Sequence, residues 1–561
     1  MKFSVRKWIP IVDWLLSYQP KQLRGDLTAG ITTAVMLIPQ AMAYAMLAGL
    51  PPVIGLYASI LPLLVYALLG TSRQLAVGPV AMVALLVSSG IGAMVSPGDI
   101  GRYVTLTIFL TLLVGIIQFS MGLFRLGFLT NFLSHPVISG FTSAAALIIG
   151  FSQLKHIVGI NLPRTENVLA LIIESLRRSS EINLITLSLG IGCILFLLVL
   201  RRISPLIPGA LIAVIISSLL VWGFKLNQLG VNIVADVPAG LPPFSMPVFD
   251  LHDIQGLLPI ALTISFVGFI ESIAIGKKIA SEKGYEVDSN QELIALGAAN
   301  IVGAFFRAMP VTGGFSRTAV NKDAGANTGL AGIITALVIT IALLFLTPLL
   351  YFLPKAILGA VIMVAVFGLV DLKEVKHLWH IKKEDLALLS ITFIATLTFG
   401  VKQGVFSGIA LSMIWFVVKT TRPHYAVLGK LPGRDDYRNI NSHQTEPTGS
   451  LLIIRFDAQF YYGNVSFLKE TFKKAEITMQ SPLKHIIIDA SSINQLDSSA
   501  DTALHEITRE YGKRNIGLYF ANLKGPVLDV MKRSGLYDML GEDHFFMNVH
   551  EAATAVSNGL R

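Results

Sequence analysis

Between residues 26 and 420, apolar runs of membrane-spanning length alternate with short polar breaks, so this stretch must fold within a bilayer. Lipid offers no partners to backbone N–H and C=O groups. A spanning chain is therefore helical, and irregular backbone survives only where it lines a cavity or is buried in protein. Two of the runs are interrupted in the same way. The first half holds Pro39-Gln40, then Ala76-Val77-Gly78-Pro79; the second holds Ile270-Glu271, then Pro310-Val311-Thr312-Gly313-Gly314. Thirty-nine residues separate Gln40 from Pro79, and thirty-nine separate Glu271 from Pro310. Paired interruptions at corresponding places in two halves are the sequence mark of a transporter's binding site.

Only 14% of residues are charged, against about 25% in an average soluble domain. The expected division is an N-terminal interfacial segment 1–25, a transmembrane anion transport domain 26–421, a linker 422–448 and a soluble domain 449–561. The first twenty residues lack a signal-peptide pattern. They read as an amphipathic segment anchored in the lipid interface by Trp8 and Trp14. Most of the net charge of +9 is Lys and Arg beside the apolar runs, which reports topology and not a nucleic-acid partner. The single cysteine, Cys193, rules out an internal disulfide and a Cys-rich metal site. No metal or cofactor is expected beyond a co-transported H⁺ or Na⁺.

About fourteen spans are expected, some short or bent: 27–47, 53–69, 76–93, 104–123, 130–150, 182–200, 207–223, 257–279, 292–306, 311–322, 329–350, 355–370, 385–400 and 403–420. Lys2, Arg6, Lys7, Lys21 and Arg24 precede the first. Arg73, Arg125, Arg201, Arg202, Lys277, Lys278, Lys283, Lys373, Lys376, Lys382 and Lys383 follow even-numbered spans, and Arg422 follows the last. The positive-inside rule then places both termini and the soluble domain in the cytoplasm of an inner or plasma membrane. Lys155, Arg164, Arg177 and Arg178 run against the rule, in a long loop where it is weak.

The tail alternates continuous apolar strands (451–456, 485–489 and 517–520) with helices near 465–476, 499–511, 525–534 and 549–557. Continuous runs suit strands buried on both faces. Phosphate-binding loops and His/Cys clusters are missing, so nothing there points to an enzyme.

Glu271 is the residue that most demands a function. A carboxylate inside a span costs about 2.5–3.5 kcal/mol on insertion scales and faces a cavity or a partner. There it can take up a proton or a cation when the site rearranges. The plainer alternative is a glutamate at a helix end, since Lys277 follows closely. Gln40, its counterpart, either lines the site or bonds to a neighbouring helix. The Gly78–Val80 and Gly313–Ser316 breaks, restarting as half-helices, would aim two helix N-termini at one place and cradle an anion. Arg317, with hydroxyls from Ser316 and Thr318, suits that cradle; alternatively it snorkels to the cytoplasmic surface.

The stretches Pro39-Gln40-Ala41-Met42-Ala43-Tyr44 through Gly55-Leu56-Tyr57, Gly70-Thr71-Ser72-Arg73 and Phe315-Ser316-Arg317-Thr318-Ala319-Val320-Asn321 resemble the sulfate permease family, called solute carrier family twenty-six in animals. The tail resembles a STAS domain through Asp489-Ala490-Ser491 and Leu496-Asp497-Ser498-Ser499-Ala500. The resemblance implies two inverted repeats of seven spans, divided into core and gate units, and a homodimer. It places the anion between spans three and ten. Gln40 and Tyr44 would line it from span one, Val80 from span three, and Ser316 and Arg317 from span ten; the breaks themselves add Gly78, Pro79, Gly313, Gly314 and Phe315 as candidate binding residues. Glu271 would couple transport to a cation. In the bacterial relatives the phosphorylated serine corresponds to Ser499 and is followed by glycine, where this chain has Ala500.

Secondary transport of an inorganic anion, foremost sulfate, driven by H⁺ or Na⁺ through alternating access, fits these features. A bicarbonate or chloride exchanger or anion channel is the alternative, and a membrane sensor signalling through its STAS domain is a third reading. An ungated pore needs no buried carboxylate, and Arg317 argues against an uncharged substrate.

Overall fold

The computed structural model describes residues 10–96, 98–128, 134–160, 168–203, 208–247, 250–477, 479 and 481–558. Lys2, Arg6, Lys7, Trp8 and Arg164 lie outside them, as do the first residues of the spans expected at 130–150 and 207–223. The chain divides into two compact units, Met1–Ser412 and Met413–Arg561.

In the first unit each expected span meets a helix or a broken segment. Among the described residues six helices are long and apolar enough to cross a membrane, among them Pro20–Leu47 and Ile100–Leu123. The others are shorter, including Ala81–Gly92 and Leu330–Phe345. The third and tenth spans each begin as a two-residue strand, β1 (Val77–Gly78) and β2 (Thr312–Gly313), before the helices Ala81–Gly92 and Phe315–Asp323. The strands pair antiparallel, Val77 with Gly313 and Gly78 with Thr312. The two halves thus satisfy each other's freed backbone groups deep in the protein, as lipid requires. Spans one to four pack with spans eight to eleven. Spans five to seven pack with spans twelve and thirteen, so each half contributes to both groups. Two short helices were unforeseen, Val168–Arg177 and Leu372–Ile381; both carry charges that interrupt an apolar reading.

Two buried carboxylates fasten the first group, by the same device. Glu292 accepts the Thr71 and Ser72 N–H groups (2.7 and 3.0 Å) and the hydroxyls of Thr71 and Tyr66 (2.7 Å each). Asp26 accepts the Asn327 and Thr328 N–H groups (2.7 and 3.0 Å) and the Thr328 hydroxyl (2.7 Å). The Gly70-Thr71-Ser72-Arg73 signature is therefore a carboxylate-binding turn that leads into β1. Each buried donor left without an acceptor costs about 1–3 kcal/mol. Glu292→Ala should strand four of them, and purified protein should unfold at a markedly lower temperature in a fluorescence melt; an unchanged midpoint would show the clamp to be dispensable.

The second unit is a six-stranded sheet in the order β4-β3-β5-β6-β7-β8, where β3 is Tyr425–Lys430, β4 Tyr437–Asn439, β5 Leu451–Phe456, β6 His485–Asp489, β7 Gly517–Ala521 and β8 Phe545–Phe546. β5 to β8 run parallel, and β3 is antiparallel to both β4 and β5. The segment 422–448, expected as a linker, thus supplies two strands. Their apolar content, Ala426-Val427-Leu428, is too brief to stand out in a polar stretch. Alternate residues of β5 enter different cores: Leu452, Ile454 and Phe456 one, Leu451 and Ile453 the other. Burial of both faces is what the continuous apolar run requires. Asp497 caps the helix Ser498–Lys513 by accepting from Ala500 N–H. Ala500 is buried, whereas Ser499 is exposed on the first turn.

Candidate functional site

The broken segments meet because β1 and β2 pair. Val80 and Gly314, both extended, precede the helices Ala81–Gly92 and Phe315–Asp323, and no side chain caps either helix. The first N–H groups of a helix have no partner within it. Two uncapped N-termini therefore converge on one place and carry the positive ends of their dipoles there.

Buried hydrogen bonds hold this geometry. Asn300 brackets the break from the ninth span, accepting Val311 N–H (2.8 Å) and donating to the Val311 carbonyl (3.1 Å) and to Gln118 (3.0 Å). Ser272, next to Glu271, accepts Gly313 N–H (2.8 Å) and contacts the Thr312 hydroxyl (2.7 Å). Thr318 accepts Ala76 N–H at 3.1 Å. Thr318 thus serves the strand pair, and it does not line the central cavity. Ser272, Asn300 and Thr312 were not singled out from sequence. The available signal was a polar side chain within an apolar run.

A cavity of about 50 Å³ lies at the convergence, lined by Gln40 and Tyr44 of the first span, Val80 to Met82, Glu271, and Gly314 to Arg317. That exceeds the ~15 Å³ one water needs. Gly78, Pro79 and Gly313, also expected at the site, belong to the strand pair and its exit and do not line this cavity. Ile149 of the fifth span and Ala365, Val366 and Leu369 around the end of the twelfth close the other side. These gate-side residues are apolar and nothing in the sequence marked them.

Arg317 is 2% exposed, so it does not snorkel. One guanidinium nitrogen donates to the Pro79 carbonyl, tying the tenth span to the third. Its Nε and Nη2 have no hydrogen-bond partner among the described residues and are buried. Burying an unpaired donor is costly, and on a cation more so. Glu271 sits well inside the helix Leu251–Lys283, not at its end. Its Oε2 is buried without a partner, and it forms no ion pair with Arg317 among the described residues. It borders a second, mostly apolar cavity of about 70 Å³ that Phe141 and Thr142 also line. The Gln40 amide is buried and makes no hydrogen bond to any described residue, so it is not the interhelical tie of the plainer reading.

A helical membrane domain with a donor-rich cavity at a symmetric break, holding a buried arginine and a buried glutamate, followed by an α/β domain, fits an anion transporter. The family model "Sulfate permease family" matches residues 23–392 and "STAS domain" matches residues 441–552. The chain belongs to the sulfate permease family. It is 38% identical over 562 aligned residues to "Sulfate transporter 4.1, chloroplastic" of Arabidopsis thaliana, covering 97% of this chain and 82% of that protein. To "High affinity sulfate transporter 2" of Stylosanthes hamata it is 34% identical, covering 97% and 85%. The structure of the murine anion transporter Slc26a9 in its inward-facing state superposes with a TM-score of 0.91 at 26% identity, covering 100% of this chain and 95% of that one. The transmembrane domain of the cyanobacterial bicarbonate transporter BicA shares the membrane fold, with a TM-score of 0.63 at 22% identity over 69% of this chain and 98% of that one. These relatives are transporters and not enzymes, and this chain is a multi-pass membrane protein of anion transport.

Proposed function

We propose that this chain carries sulfate, or an oxyanion of the same kind, by alternating access, with uptake driven by H⁺ or Na⁺ through Glu271. The observation that carries the reading is the pair of uncapped helix N-termini facing one cavity, with two donors of the buried Arg317 left unpaired beside them. A tetrahedral oxyanion between the N-termini would accept from the backbone and from the guanidinium at once. Names of relatives that carry sulfate favour sulfate over other anions.

Alternating access is supported by an unequal pair of vestibules. A cavity of about 570 Å³ lined by Lys278, Lys322, Glu282 and Asp323 shares Gln40, Phe315, Ser316, Ala365 and Leu369 with the central cavity and so adjoins it. On the opposite side, Met82 and Ile149 lie between the centre and a separate cavity of about 320 Å³. The basic residues on the Lys278 face favour a cytoplasmic orientation for it under the positive-inside rule.

The test is uptake of labelled sulfate into proteoliposomes of purified protein, with unlabelled anions as competitors. Saturable uptake blocked by excess sulfate supports the reading. Uptake of bicarbonate or chloride that sulfate does not inhibit would replace it with the exchanger or channel reading. A homodimer, implied by the family resemblance, belongs to the same proposal. Light scattering corrected for detergent should return about twice the mass of one chain, and a monodisperse monomer would remove it.

A further inference from the structure

Glu271 borders a second cavity, of about 70 Å³, as well as the central one. Three phenyl rings line this second cavity: Phe141 of the fifth span, Phe266 of the eighth and Phe315 of the tenth. Thr142 offers the one polar side chain there besides Glu271, and no Lys, Arg or His lines it among the described residues. Arg317 lines the central cavity and not this one. The volume is several times the ~15 Å³ of one water, yet water fits the lining poorly, because it needs two to four polar partners. Glu271 Oε2 is buried and has no partner among the described residues. A carboxylate among aromatic rings is complemented by a cation with an apolar surface. The cavity also lies on a seam. Its walls come from spans three, eight and ten of one packed group and from span five of the other. Ala274 in the wall is exposed, and Phe315, 37% exposed, also lines the large cavity on the Lys278 face, so entry is from that side.

We infer that this cavity binds a small organic ammonium ion, its nitrogen on the Glu271 carboxylate and its carbon chain among Phe141, Phe266 and Phe315, and that the bound ion inhibits transport. The inhibition rests on the proposed coupling and alternating access; the binding does not. A cation within about 6 Å of a ring centroid is attracted by the ring, most strongly where water is excluded. Burying either charge alone is costly, and pairing the ammonium with the carboxylate offsets that cost. The N–H donors then meet an ionised acceptor in a low-dielectric setting, which strengthens the bond. The volume suits a chain of about four carbons and a nitrogen. Two effects follow from the place. An ion on Glu271 excludes H⁺ or Na⁺ from it, and a body lodged in the seam holds the two groups of spans together. The anion cradle stays open meanwhile, since Gln40, Tyr44, Ser316 and Arg317 line only the other cavities.

The experiment titrates the purified full-length chain with n-butylammonium at pH 7 in a calorimeter, with n-butanol as the uncharged control of the same size. Butylammonium should bind at least tenfold more tightly than butanol. Glu271→Gln should weaken it at least tenfold by removing the charge. Val267→Phe should do the same by filling the cavity while the carboxylate stays; Val267 lines this cavity and not the central one, so this variant decides the matter if Glu271→Gln fails to fold. In proteoliposomes, butylammonium should lower the maximal rate of uptake of whichever labelled anion the wild type carries and leave its KM within twofold. Equal binding of butanol, no binding of butylammonium, or binding that survives Val267→Phe would overturn the site. Inhibition that raises the anion KM alone would put the amine in the central cavity and overturn it too. Binding that both variants abolish, in a protein whose uptake ignores pH and sodium gradients, would refute the coupling role of Glu271 and leave the ammonium site standing.

Discussion

Gly314→Val is expected to abolish anion transport while leaving the protein folded. Gly314 is extended, with φ −106° and ψ 128°, so its backbone tolerates a side chain without strain. Its N–H bonds to Ala76 O and would continue to do so. What changes is the space above it. A Cβ there would lie 2.8 Å from Arg317 Nη2 and 3.1 Å from Nε, so the guanidinium must leave its place. Valine's methyl groups would then occupy the small cavity itself. A hydrogen bond to a charged group contributes about 1.5–3 kcal/mol, and losing two would weaken the anion complex more than a hundredfold. Gly78→Ala is the internal comparison. Its Cβ would meet the same guanidinium at 3.5 Å, an ordinary contact, and the loss should be slight. Uptake of labelled sulfate, read beside a thermal melt, separates transport from folding. Normal substrate affinity in Gly314→Val would refute the site assignment.

The second large effect concerns energy coupling. Moving a dianion inward against a negative-inside potential costs about 2.3 kcal/mol per elementary charge per 100 mV. A carboxylate that carries a proton or sodium ion across with the substrate offsets part of that cost, and Arg317 offsets the charge of the anion itself. Glu271 is placed for this between the central cavity and an apolar one, with an oxygen that has no partner among the described residues. Glu271→Gln keeps the shape but cannot ionise. Accumulation in that variant should lose its dependence on the pH or sodium gradient while anion exchange persists. Gradient dependence equal to wild type would make Glu271 structural.

The two predictions draw on different amounts of sequence information. The breaks were legible because Gly-Gly and Gly-Pro cannot continue a helix, and their equal spacing to Gln40 and Glu271 implied a shared site. Glu271 and Arg317 were legible as charges in apolar surroundings, although only the fold decided between snorkelling and burial for Arg317. The pairing of β1 with β2 was hidden, since two residues per strand leave no periodicity. Ile149, Ala365 and Leu369 were hidden because an apolar residue in an apolar helix looks alike on every face. Glu292 sits at the polar edge of a span, where a carboxylate does not stand out, and it was not singled out. Its acceptor role appears only when Thr71 and Ser72 are brought to it from more than two hundred residues away. In the tail, β3 was missed because a short strand antiparallel to its neighbour leaves no trace comparable to Leu451–Phe456.

The location of the anion is open to direct measurement. Selenate has the shape and charge of sulfate, and its selenium scatters anomalously. A crystallographic anomalous map of the protein with selenate should contain a peak between the N-termini of Ala81–Gly92 and Phe315–Asp323, within hydrogen-bonding distance of Arg317 Nε or Nη2, and excess sulfate should remove it. A sulfate-displaceable peak elsewhere, with none between those helices, would contradict the account.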